Sequence, residues 1–226
     1  MSRSLLVLAV DGASPVSSVA LAHGDELLAA RFEPRSAGSH ELLALVDTVL
    51  ARAGVSPGEV QGWVALNGPG SFTGLRIACA TVLGAVQATG ARATAVSTFE
   101  ALALAAPPEA GEVLALVDAL RGEWFTQRWR RGAGLQAEAV AGPVRSPLAA
   151  TGLFEGVSLA VGFGVAEAVA AGVADGSLAA PPDLCFEVPQ LADNVARAAA
   201  AGRWPWDAGL LTRPLYLRPP AVTLPR

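Results

Sequence analysis

The 226-residue chain has no lysine: all sixteen of its Lys+Arg positions are arginine. That excludes a phosphate-loop lysine, a Schiff-base lysine and a lysine general base. Histidine occurs twice, as His23 and His40, and cysteine twice, as Cys79 and Cys185. So few ligands make a zinc site built on His and Cys a poor reading, and no metal is expected. The cysteines lie far apart in apolar surroundings, which reads as buried reduced thiols rather than a disulfide or a nucleophile. A net charge of −4 leaves no basic surface of the kind that grips nucleic acid unaided. No run of about 18 apolar residues escapes a charge or a glycine-rich break. The opening MSRSLLVLAVDG imitates a signal peptide, but its apolar run is short and ends at Asp11. A cytoplasmic protein without a membrane segment is the expectation.

What is present is apolar residue, at 52% of the chain. The length allows one sizeable domain or two small lobes. Leu5–Val10, Val16–Ala22 and Glu26–Phe32 read as strands of a meander. His40–Ala53 has helical spacing, with Ser39 placed to cap it. Trp63–Leu66 is a strand, and a helix is expected from Gly74 to Ala88, stopped by Gly90. Ser97–Glu100, STFE, has the form of a capping box. APPEAG, residues 106–111, is a break and a candidate lobe boundary. After it the opening repeats: LLVLAVDGAS at Leu5–Ser14 resembles EVLALVDALRGE at Glu112–Glu123, so two similar lobes, 1–106 and 107–226, are expected. Ser158–Gly164 reads as a strand and Leu191–Ala201 as a helix. The tail is extended and proline-rich, and packs back on the first lobe if the lobes exchange segments.

One stretch carries the functional question: NGPGSFTGLRIACATVLGAVQATG, from Asn67 to Gly90. Gly68, Gly70 and Gly74 surround Ser71, Phe72 and Thr73. Glycines at a helix start let backbone N–H groups approach an anion, and Thr73 is placed to cap the helix. The spacing matches neither common phosphate-loop signature, so on chemistry alone a structural turn is the favoured reading of the same residues and an anion site the alternative. The helix after it has few polar side chains. Its Ala80, Gly84 and Ala88 form a smooth stripe at four-residue spacing, suited to a second helix or to burial within the chain. Asp11 and Asp118 close two strands, where they would either bind a ligand or cap the turn. Arg121 and Glu123 read as a solvated ion pair. RWRR, Arg128–Arg131, reads as strand-end arginines, with RNA contact the rarer alternative.

In order along the chain, VDGAS, SAGSHELL, GPGSFTGLRIA, VSTFEALA, LVDALRGEWF and RPLYLRPP resemble the TsaB family, the dimerisation subunits of the bacterial tRNA threonylcarbamoyladenosine complex. The resemblance implies a duplicated actin-like, sugar-kinase-like α/β fold with mixed sheets flanked by helices. It implies a noncatalytic subunit without a cofactor, beyond weak nucleotide binding. Its partners would be a TsaD-like catalytic subunit, a TsaE-like ATPase through the complex, tRNA only through the complex, and a second copy when alone. The catalytic paralogue carries a histidine pair on a helix, and this sequence has no H-x-x-x-H. The implied interface lies on the helices at His40–Ala53 and Gly74–Ala88, with Leu42, Leu45, Val46, Val49, Leu75, Ala78, Val82, Gly84 and Val86 as the expected contacts. Asp11, Gly68, Gly70, Ser71, Thr73 and Asp118 are the candidates for a vestigial nucleotide or anion site. A phosphotransferase or hydrolase built on those residues is the rival reading; a stand-alone peptidase has no visible triad or zinc motif.

Overall fold

Strand β1 (Leu6–Asp11) is apolar at every position but its last, and it is buried on both faces. Val7 and Ala9 point to one core, Leu8 and Val10 to another, as a central strand's alternation requires. The structure, a computed structural model, describes residues 4–34, 40–174, 176, 185–188 and 190–217. β2 (Val16–His23) and β3 (Glu26–Pro34) complete an antiparallel meander with β1. On its other side β1 pairs in parallel with β4 (Gly62–Leu66), and β4 with β5 (Arg92–Val96), giving the order β3-β2-β1-β4-β5. Helix α1 (His40–Ala53) connects β3 to β4, and α2 (Phe72–Thr89) connects β4 to β5.

The second sheet repeats this plan. β6 (Glu112–Asp118) and β7 (Glu123–Arg131) form the hairpin, and β8 (Ala137–Ala139) adds to β7. β10 (Leu159–Gly162) joins β6 in parallel and β11 (Cys185–Glu187) joins β10, while a short β9 (Val144–Pro147) pairs with β7. Val113 and Ala115 of β6 face the shared core; Leu114 and Leu116 face a separate one under α4 (Val165–Ala174). The strand–Asp repeat in the sequence is therefore a repeat in space, and the fold is the α/β, duplicated, mixed-sheet architecture that the resemblance implies.

Two helices cross between the halves. α3 (Thr98–Ala105) follows β5 of the first sheet yet packs on β6 and β7 of the second. α5 (Ala192–Ala200) follows β11 of the second yet packs on β1, β2 and β3 of the first. Ser97 caps α3 by accepting from the Glu100 N–H, but the expected reciprocal half of the capping box is absent. Glu100 instead turns to the C-terminal segment, where its Oε1 accepts from Arg203 Nη2 at 2.7 Å and Trp204 Nε1 at 2.9 Å. The arginine cluster is likewise spent on structure: Arg128 donates to the carbonyls of Gly152, Leu153 and Glu155, and buried Arg131 to those of Leu104, Ala106, Gly132 and Gln136. Arg130 pairs with Glu112, and Glu123 pairs with Arg145. The RNA reading of RWRR loses its free cations. Ser39, its capping role and the end of the tail lie outside the described residues.

Candidate functional site

The turn after β1 and the start of α2 meet backbone to backbone. Asp11 is fully buried, and its Oδ1 accepts from the N–H groups of Ala13 at 2.8 Å and Ser14 at 3.2 Å. Ser71 N–H donates to the Ala13 carbonyl at 2.8 Å. A Cβ on Gly74 would stand 1.7 Å from the Gly12 carbonyl oxygen, and one on Gly70 would stand 2.5 Å from the Ala13 oxygen. The glycines are thus required by the approach of one loop to another, before any ligand is considered. Gly68 has φ of 111° and lies against the Leu215 carbonyl of the C-terminal segment. Helix α2 begins two residues earlier than expected. Ser71, rather than Thr73, is its N-cap, accepting from the Gly74 N–H; Thr73 sits inside the first turn. Gly90, at φ 72°, ends the helix as expected.

Asp118 does in the second lobe what Asp11 does in the first: its Oδ1 accepts from the Leu120 N–H at 2.6 Å. Unlike Asp11 it is exposed. The six residues expected around an anion do not form one site. Gly70, Ser71 and Asp118 line a cleft of about 630 Å³ between the two halves; Asp11, Gly68 and Thr73 do not. Among the described residues Asp118 is the one charged side chain in that lining. A carboxylate in the wall disfavours a polyphosphate. Among the described residues no group of three or more His, Cys, Asp or Glu side chains converges as metal ligands. The C-terminal segment supplies the cleft's Leu215, Tyr216 and Leu217, residues that the sequence reading did not single out. It is held there by Leu215 N–H donating to the Asn67 carbonyl at 2.7 Å, a long-range pairing with no local signature.

The second candidate surface is the outer face of α2. Of the nine residues expected to meet a partner, Leu42, Leu45, Val46, Val49, Leu75, Ala78 and Val82 are buried against this chain's own sheet. They are corrected to core positions: the apolar spacing marked the inner faces of α1 and α2, which have a sheet to cover. Val86 is half-buried, and Gly84 is exposed. The exposed positions of α2 include the small stripe, Ala80, Gly84 and Ala88, continued toward the N-terminus by Arg76 and Phe72, with Thr73 and Gln87 the exposed polar residues beside it. A Cβ on Gly84 would meet nothing within 4 Å. On α1 the outward residues include Leu43, 53% exposed, with Ala44, Asp47 and Ala51. Among the described residues α2 is also the one helix long and apolar enough to cross a membrane; its inner face packs on β1, β4 and β5. Cys79, on that inner face, is a free buried cysteine whose thiol burial pushes up to about 11.

Comparison with known proteins gives three concordant results. Residues 34–153, just over half of the chain, match the family model described as TsaD: tRNA N6-adenosine threonylcarbamoyltransferase. The tRNA threonylcarbamoyladenosine biosynthesis protein TsaB of Escherichia coli (strain K12) is 33% identical over 146 residues, 61% of this chain and 62% of that protein. Its counterpart of the same name in Haemophilus influenzae is 29% identical over 128 residues, 55% of this chain and 54% of that protein. The matched stretch thus spans about three-fifths or less of these curated relatives. Among solved structures, YeaZ from Pseudomonas aeruginosa superposes with a TM-score of 0.73 at 26% identity, covering 94% of this chain and 100% of that one.

Proposed function

The chain belongs to the TsaB family, and from that premise we propose that it is a noncatalytic scaffold subunit of the assembly that adds threonylcarbamoyl to the adenosine beside the anticodon of tRNA. Its role is to pair with a TsaD-like catalytic subunit and hold it in an active arrangement. A TsaE-like ATPase and the tRNA engage the assembly rather than this chain alone, and a homodimer forms through the same face when the catalytic subunit is absent.

One observation carries the placement of the interface: the exposed stripe of Ala80, Gly84 and Ala88 on α2. Small residues let a second helix approach closely, and beyond Arg76 the outer face of α2 carries no charged side chain to keep it wet. Half-buried Ile77, Leu83 and Val86 flank the stripe with apolar area. The noncatalytic part of the reading is supported by the use of both candidate aspartates as turn caps.

The test is to mix the purified chain with the TsaD-like subunit of the same genome and follow size-exclusion chromatography with light scattering. A heterodimer is expected. Gly84→Arg puts a long charged side chain into open space on a helical backbone, so it should leave the circular dichroism intact and abolish pairing. A folded Gly84→Arg protein that still forms the heterodimer would overturn the interface; a wild-type chain that never pairs would overturn the scaffold role.

A further inference from the structure

We propose that the cleft between the two sheets is a binding site for a small aromatic amine. Its volume of about 630 Å³ falls within the range of small-molecule sites. Its walls include four aromatic rings brought from four separate places: Phe72 at the start of α2, Phe125 on β7, Phe163 after β10 and Tyr216 in the C-terminal segment. Leu75 and Leu116 add aliphatic surface. Such walls suit a flat ring, which gains area burial and offset or edge contacts at low entropic cost.

The charge in the cleft selects the rest of the ligand. Among the described residues Asp118 is the one charged side chain lining it. Its Oδ1 accepts from the Leu120 N–H, and the carboxylate stays exposed at the cleft. An ammonium placed over aromatic faces and beside a carboxylate is stabilised by both. The protein already places a cation on one of these rings. The Arg76 guanidinium lies 3.8 Å from the centroid of Phe72, and its Nε donates to the Tyr216 hydroxyl at 3.2 Å. Arg76 is outside the lining, at the mouth, where it ties the Phe72–Tyr216 wall together. An anionic ligand would meet Asp118 with no arginine among the described lining residues to offset it.

Three indoles that differ in charge test this on the purified full chain: tryptamine, 3-methylindole and indole-3-acetate, titrated at neutral pH with saturation-transfer NMR. Tryptamine should bind tighter than 3-methylindole by about three- to fivefold, the size of an exposed ion pair, with indole-3-acetate weakest. Asp118→Asn keeps an acceptor for the Leu120 N–H, so the turn is retained, and tryptamine should fall to the level of 3-methylindole. Tyr216→Ala, at an exposed position, should weaken all three alike and so locates the probe independently of Asp118. The proposal is overturned if no indole saturates the wild type, if indole-3-acetate binds as tightly as tryptamine, or if the charge ranking survives Asp118→Asn.

Discussion

At the scale of single residues, the chain uses its arginines as internal fasteners. Arg203 joins Glu100 of α3 to the β7–β8 hairpin: it donates to that carboxylate and to the carbonyls of Leu135 and Ala137. Both partners of the ion pair are only 18% exposed at the side chain. Removing one member of such a pair leaves the other desolvated and unmatched, a loss of about 3 kcal/mol. Arg203→Ala is therefore expected to lower the unfolding free energy measured in urea by that amount, while Glu100→Gln, which still accepts from Trp204, costs about 1 kcal/mol. Equal effects of the two would show that the loss comes from the charge of the pair, since both variants keep the Trp204 hydrogen bond. Cys79 gives a second residue-level prediction. Burial raises its thiol from an ordinary 9.0 to about 11, because the thiolate is disfavoured inside the fold. A raised folded value favours the native state fully below pH 9 and loses that contribution as pH climbs toward about 11. Stability measured by urea should thus decline over that alkaline window, and Cys79→Ser should flatten the decline. Iodoacetamide at pH 8 should leave the native thiol unlabelled and label it in urea, since access and thiolate both require opening.

At the scale of elements, helix α2 contains two glycines with opposite meanings. Gly74 sits where the helix start touches the β1–β2 turn, with no room for a methyl group beside the Gly12 carbonyl. Gly84 sits on the outer face with nothing near it, in ordinary helical conformation. Gly74→Ala should destabilise by more than about 3 kcal/mol, because backbone has to move. Gly84→Ala should stabilise by roughly 0.5–1 kcal/mol through helix propensity and the unfolded chain. Thermal melts of the two variants check both signs; a destabilised Gly84→Ala would mean that the outer face is packed in the free protein. The contrast also shows how far the sequence could be read. Periodicity delivered the extent of α1, the strands β1 to β4, β6 and β10, and the small stripe on α2; it did not deliver β5, β8, β9 or β11. It did not separate the side of α1 and α2 that meets the sheet from the side that meets solvent, so Leu42, Leu45 and Val46 were assigned outward. Apolar spacing reports that a face is covered, not by what. The cap at Ser71 was missed for a related reason: Ser71 and Thr73 are both good N-caps, and the choice is made by the hydrogen bond from Ser71 to Ala13 in a different loop. Leu215 and Tyr216 were legible only as part of the RPLYLRPP resemblance, since their position depends on a pairing to Asn67.

At the scale of the whole molecule, the exchange of helices decides how the two halves behave. α3 leaves the first sheet to cover the second, and α5 leaves the second to cover the first. One cluster of buried side chains runs through both, from Val7 and Ala20 through Phe99 and Leu102 to Val113, Phe125 and Val195. A half cut at the 106/107 boundary would expose the face of β1 and β2 on which α5 sits. It would also strip α3 from the strands it covers, leaving contiguous apolar surface on each piece. The Glu100–Arg203 pair and the Arg131 contacts to Leu104 and Ala106 add polar ties across the same junction. Two sheets with separate cores would melt separately; two sheets sharing a core should melt together. Differential scanning calorimetry is expected to show one transition, with the van't Hoff enthalpy equal to the calorimetric one. Residues 1–106 expressed alone should fail to give a cooperative melt. A well-folded 1–106 fragment, or two resolved transitions in the intact chain, would mean that the lobes are independent and that α5 merely rests on the first. A joint transition would fit the scaffold reading, in which the partner's face on α2 is presented by a rigid body rather than by a lobe that opens and closes.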